Sequence, residues 1–192
     1  MNVRDSVLDH DLLVDAILSQ PNHLSISPQF YFYILIRRVL KQTGITDRKL
    51  TDYLASLLET FSRTARMKSP VDEEGAPIQY LSDMLMALRN ASPAQTFLIR
   101  AHVGNYSLFI TGIFRESVER RSRRGAPDFS YYEEMGRMNY QVMANHSVAR
   151  SCDLADVFKA LAEQFHDIRL ALNCLSDSLI NIDDDAHIPL LI

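Results

Sequence analysis

Between positions 154 and 179 the chain carries Leu154, Phe158, Leu161, Phe165, Ile168, Leu172, Leu175 and Leu179, alternating steps of four and three without a miss. That spacing keeps apolar side chains on one stripe of a helix about seven turns long, roughly 39 Å at about 1.5 Å per residue. Such a stripe must be buried, against other helices of the chain or against a second copy. The pattern predicts an all-α fold closed by one long, heptad-patterned C-terminal helix beginning near Asp153. It also makes a homodimer through the stripe an expectation.

A chain of 192 residues, 47% apolar and 23% charged, is long enough for a real core in one helical domain. Its net charge of −4 argues against a dedicated nucleic-acid binder. The start, MNVRDSVLDHD, is polar and charged, so no signal peptide is expected. The most apolar segment, residues 97–114, contains Arg100, His102 and Asn105. Each would be costly in lipid, so the segment reads as a buried core helix and no membrane association is expected. Cys152 and Cys174 lie 22 residues apart on what reads as one helix, about 33 Å and far beyond disulfide reach. Reduced thiols imply a cytoplasmic setting.

Helix signals recur along the chain. Residues 6–19 read as a short amphipathic helix ending before Pro21. The seven consecutive apolar residues 30–36 could by periodicity be a buried strand, but the helix entry at Ser27 and Pro28 and the stop at Gly44 favour a helix. Thr46 or Asp47 opens a second helix, with Leu50, Tyr53, Leu54, Leu57, Leu58 and Phe61 on its apolar side. SPVDEEGAP (69–77) is the clearest linker and a point of subdivision. Pro77 and the pair Ser92-Pro93 start further helices, and Gly125-Ala126-Pro127 breaks the chain. Ser130 and Glu133 have capping-box spacing. The resulting expectation is a single domain over residues 1–180, with an acidic and apolar tail over 181–192. Its seven or eight helices would form a bundle-like or orthogonal core with residues 97–114 at its centre.

Chemistry is sparsely signalled. Glu163 and His166 have the Glu-x-x-His spacing of di-iron bundles, but with Phe165 in the stripe they fall on the far face, as does Asp167. The acids 183–185 with His187 read as a solvated tail. No His-Glu-x-x-His, Cys-x-x-Cys, glycine-rich phosphate loop or Gly-x-Ser-x-Gly is present. No metal, no cofactor and no catalytic residue is therefore assigned.

Three binding candidates remain. Residues 40–58 have the outline of a helix-turn-helix, in which Arg48, Lys49 and Thr51 would meet DNA. Leu40 is large where a small residue is usual, and Asp47 and Asp52 would face phosphates, so an ordinary αα-hairpin competes. Arg115, Arg120, Arg121, Arg123 and Arg124 crowd one stretch and suit an acidic partner or a phosphate-bearing ligand. The competing reading is a basic helix end that complements the dipole and pairs with acids nearby. Finally, if helices 93–114 and 131–150 fold back about Ser122, Asn105 and Tyr106 come opposite Asn139 and Tyr140, and His102 approaches 143–146. With Arg100 these residues either satisfy one another or line a small polar pocket, the basis of an enzymatic alternative.

The step Gly104-Asn105-Tyr106, the helix end at Gly112, and Tyr131, Tyr132, Gly136 and Tyr140 together resemble a functionally uncharacterised family of bacterial all-α proteins. The resemblance covers residues 102–140, a fifth of the chain. It implies a bacterial cytoplasmic protein of all-α fold and no particular catalysis. The leading expectation is a non-enzymatic regulatory protein that binds a ligand or partner and self-associates.

Overall fold

The computed structural model describes residues 14–15, 27–67, 81, 84–86 and 88–183. Among them every regular element is helical: α1 (Pro28–Gln42), α2 (Arg48–Met67), a 3₁₀ turn (Leu88–Asn90), α3 (Pro93–Ile113), α4 (Arg115–Ser122), α5 (Phe129–Ala144), α6 (Ser147–Ser151), α7 (Ala155–Glu163) and α8 (Phe165–Asp183). Val14 and Asp15 are also helical. The linker 69–77, the helix start at Pro77, and the tail beyond residue 183 lie outside the described residues. No described helix is long and apolar enough to cross a membrane.

The apolar run of α1 is helical because its entry is well made. Ser27 Oγ accepts from the Phe30 amide at 3.2 Å, and Pro28 occupies the first turn, where its missing N–H is not needed. Residues 32–36 are all buried, since α2 covers one side of α1 and α8 another. A helix enclosed in this way needs no polar stripe. The Asp47 carboxylate caps α2, accepting from the amides of Lys49 (2.8 Å) and Leu50 (3.1 Å).

Helix α3 packs against α5, α8, α2 and α4, the central place expected for residues 97–114. A methyl at Gly104 would stand 2.7 Å from the Tyr140 ring, and one at Gly136 would collide with the Phe165 ring. At both places a bare backbone lets an aromatic ring approach a neighbouring helix closely. Most of the core is continuous across α1, α2, α3, α5, α7 and α8. Leu81, Val103, Tyr106, Ile110, Val118 and Tyr132 form a second, smaller cluster.

Three expectations require correction. The C-terminal segment is two helices, not one rod: α7 ends at Glu163, Gln164 leaves helical geometry (φ −109°, ψ 20°), and α8 restarts at Phe165. What sustains the break lies on α5. Arg137 Nε donates to the Ala162 carbonyl at 3.3 Å, and the Phe165 ring seats on Gly136. Cys152 and Cys174 therefore do not share a helix, although both are exposed free thiols.

Second, the stripe faces inward. Phe158, Leu161, Phe165, Ile168, Leu172 and Leu175 are buried, with α7 on α5 and α2 and α8 on α3, α1 and α5. The chain covers its own seam, so a second copy is not what buries it.

Third, α5 is capped two residues earlier than its Ser-x-x-Glu spacing predicts. Asp128 accepts from the Tyr131 amide (3.0 Å) and the Ser130 hydroxyl (2.9 Å), and these bonds hold its carboxyl below the usual range. Glu133 is instead turned to α8, where it meets His166 (3.1 Å) and Arg169 (3.6 Å).

Arg169 is almost fully buried and gathers several elements. Its guanidinium lies 5.2 Å from the Phe129 ring centre and donates to Asn173 Oδ1 at 3.2 Å. Asn173 in turn donates to the Thr111 (2.8 Å) and Gly112 (2.7 Å) carbonyls, and Ser176 Oγ donates to Ile113 (2.9 Å). The last carbonyls of α3 would otherwise have no intrahelical partner.

Candidate functional site

The fold brings most of the residues expected at the α3–α5 pocket together, mainly to satisfy one another. Asn105 Oδ1 accepts from Tyr53 and Tyr140, both at 2.8 Å, and Arg100 donates to Asn139 Oδ1 at 3.1 Å. Asn139 Nδ2 returns to its own helix at the Met135 carbonyl (2.8 Å). Burial pushes the Tyr53 phenol up to about 12, with the Asn105 bond opposing it, and it also raises the Tyr140 phenol well above the ordinary value, helped by nearby Tyr53. Both hydroxyls thus remain protonated donors, and the arrangement offers no base or nucleophile.

Two members of that set go elsewhere. Tyr106, about 100° round the helix from Asn105, belongs to the smaller core. His102 stacks on Phe61 of α2 (centroids 5.6 Å, 19°), and burial lowers its imidazole below the ordinary value. The ring that meets His146 is Phe97 (5.1 Å), about 140° round α3 from His102.

The helix pair α1–α2 is a tight hairpin, and Thr51 cannot serve the duplex contact expected of it. It is buried, and its hydroxyl donates to the Asp47 carbonyl at 2.7 Å. Arg48 and Lys49 are both exposed, and the Lys49 ammonium is paired with Asp153, a residue in left-handed geometry (φ 57°) on the turn before α7. In the basic stretch, Arg115 pairs with Glu119 (3.7 Å) and Arg121 donates to Ser117 Oγ (2.6 Å), while Arg120, Arg123 and Arg124 are exposed. Glu163, His166 and Asp167 all face solvent, as the stripe predicts despite the break.

The site that inspection of motifs passes over lies on the C-terminal half of α1. Here a cavity of about 360 Å³ is lined by Val14, Asp15, Ile34, Arg37, Arg38, Lys41 and Gln42. Positions 34, 37, 38 and 41 share one face of a helix, so a buried isoleucine forms an apolar floor beneath three cations. Arg38 Nη1 reaches Asp15 Oδ1 at 2.5 Å, and Arg37 donates weakly to Tyr33 Oη at 3.5 Å. Lys41, in the last turn of α1, also suits the carbonyl end of the helix. The available signal was Ile34 followed by paired arginines and Lys41. In the sequence these residues serve only as the continuation of a helix, and nothing local reveals that Val14 and Asp15 form the opposite wall.

Comparisons with protein-family models, with curated proteins and with solved structures each find no match to this chain.

Proposed function

We propose that the chain is a non-enzymatic binding protein that takes a small anionic ligand in the cavity beside α1. The observation carrying this reading is that three cations from one helix line a concavity of about 360 Å³. That volume lies in the range of small-molecule sites, and the mostly polar, cationic lining suits a charged ligand of opposite sign. The buried polar cluster supports the non-enzymatic part, because its hydroxyls and amides are engaged with one another and its tyrosines are held protonated. A bacterial cytoplasmic setting belongs to the same proposal and rests on the resemblance over residues 102–140. The stripe that motivated self-association is covered within the chain.

The test is a thermal melt of the full chain at low ionic strength, with succinate, phosphate and chloride compared at equal ionic strength. Ligand at a hundredfold excess over its Kd adds about 2.7 kcal/mol. For a chain of this size that raises Tm by roughly 5–10 °C. The rise should vanish in an Arg37→Ala/Lys41→Ala variant. Equal melting in all three salts up to the solubility of the protein would sink the reading.

A further inference from the structure

We propose that Asp15 is a built-in competitor at this cavity, and that the ligand it competes with is a dicarboxylate. The inference rests on the anion site proposed above. Asp15 already shows what Arg38 accepts: a carboxylate oxygen stands 2.5 Å from the guanidinium. The pair is wet, with the two side chains 49% and 55% exposed. Ion pairs this exposed shift an equilibrium by only roughly 1.4- to 5-fold, so a second carboxylate can displace Asp15 at little cost. Displacement need not move the backbone. Neighbouring Val14 is buried in the main core, so packing holds this piece of chain in place and only the Asp15 side chain has to swing.

The lining sets the ligand class. One carboxylate would replace Asp15 on Arg38, and the second would sit toward Arg37 and Lys41 on the same face of α1. The carbon stem between them would lie over the apolar part of the lining, which an inorganic oxyanion leaves uncovered. A guanidinium also matches the planar carboxylate fork.

Calorimetric titration of the full chain with succinate and with inorganic phosphate tests both halves, in wild type, Asp15→Asn and Arg38→Gln. Succinate should bind wild type more tightly than phosphate. Asp15→Asn should tighten succinate binding by roughly two- to fivefold, the size of a lost wet ion pair, and lower Tm by no more than about 4 °C. Arg38→Gln should weaken it. Succinate binding that is unchanged or weaker in Asp15→Asn would overturn the competitor, making Asp15 a residue that positions Arg38. Phosphate binding more tightly than succinate would overturn the ligand class. In both cases the anion site itself would stand, whereas no heat with either anion in any of the three proteins would overturn the site and this inference together.

Discussion

Two groups of polar side chains in this molecule differ in where their hydrogen bonds end. Between α2, α3 and α5, Tyr53, Asn105 and Tyr140 are joined at the edge of the core, with Arg100 and Asn139 beside them. On α1, Arg37, Arg38 and Lys41 line an open concavity, and the bond from Arg38 to Asp15 is half exposed. The first group is part of the packing, because leaving one of its members without a partner exposes a desolvated dipole. In the second, the wet Arg38–Asp15 pair is the one that the proposed ligand would replace. Polar character alone does not mark a binding site; replaceable partners do.

The contrast can be broken in a series of experiments of decreasing effect. Phe165→Ala should cost about 3–5 kcal/mol in a denaturant titration, since it empties the pocket over Gly136 where α5, α7 and α8 meet. A change in elution volume without loss of stability would instead place Phe165 between two copies. Asn105→Leu strands the hydroxyls of buried Tyr140 and half-buried Tyr53 and should cost about 2–4 kcal/mol. Adding Tyr53→Phe and Tyr140→Phe should recover part of that loss, because no orphan donor then remains. A triple variant no better than the single one would mean that the amide is needed for its shape.

The titrations follow with smaller effects. Folding keeps the Tyr53 phenol protonated up to about 12, while the unfolded phenol ionises from about 10. Stability should therefore fall as pH rises through that window, by about 1.4 kcal/mol per unit at most, and Tyr53→Phe should flatten the slope. His102 works in the opposite direction. Its folded imidazole is held neutral, so the unfolded chain binds the extra proton and stability declines as pH drops below about 6.5. His102→Gln should remove that decline. Smallest of all, Arg37→Ala and Lys41→Ala should each change stability by about 1 kcal/mol or less while abolishing anion-dependent stabilisation. A large loss of stability in either would move these cations into the structural group and dissolve the contrast.

How far such distinctions can be read from sequence depends on where their cause lies. The helices with local signals are legible: Ser27-Pro28 and Ser92-Pro93 cap α1 and α3, and the folding back of α3 on α5 follows from spacing about the basic turn. The meeting of Asn105 with Tyr140 follows from the same geometry. What escapes is whatever a distant residue imposes. The break at Gln164 has no proline or glycine of its own and depends on Arg137 and Gly136. Thr51 looks like a surface residue until its hydroxyl is found on Asp47. The α1 cavity needs Asp15, some twenty residues away in sequence, to become a site at all.

The closure of α3 by Asn173 and Ser176 has a consequence for how this protein can vary. The point at which one helix stops is set by two side chains on another, about sixty positions downstream. A residue inserted late in α3 would rotate and advance its last carbonyls past both donors, so its length cannot drift independently of α8. Close relatives should differ freely in the connections between helices, yet keep the span from Ser92 to Ile113 constant or change it only alongside a matching shift in the final helix.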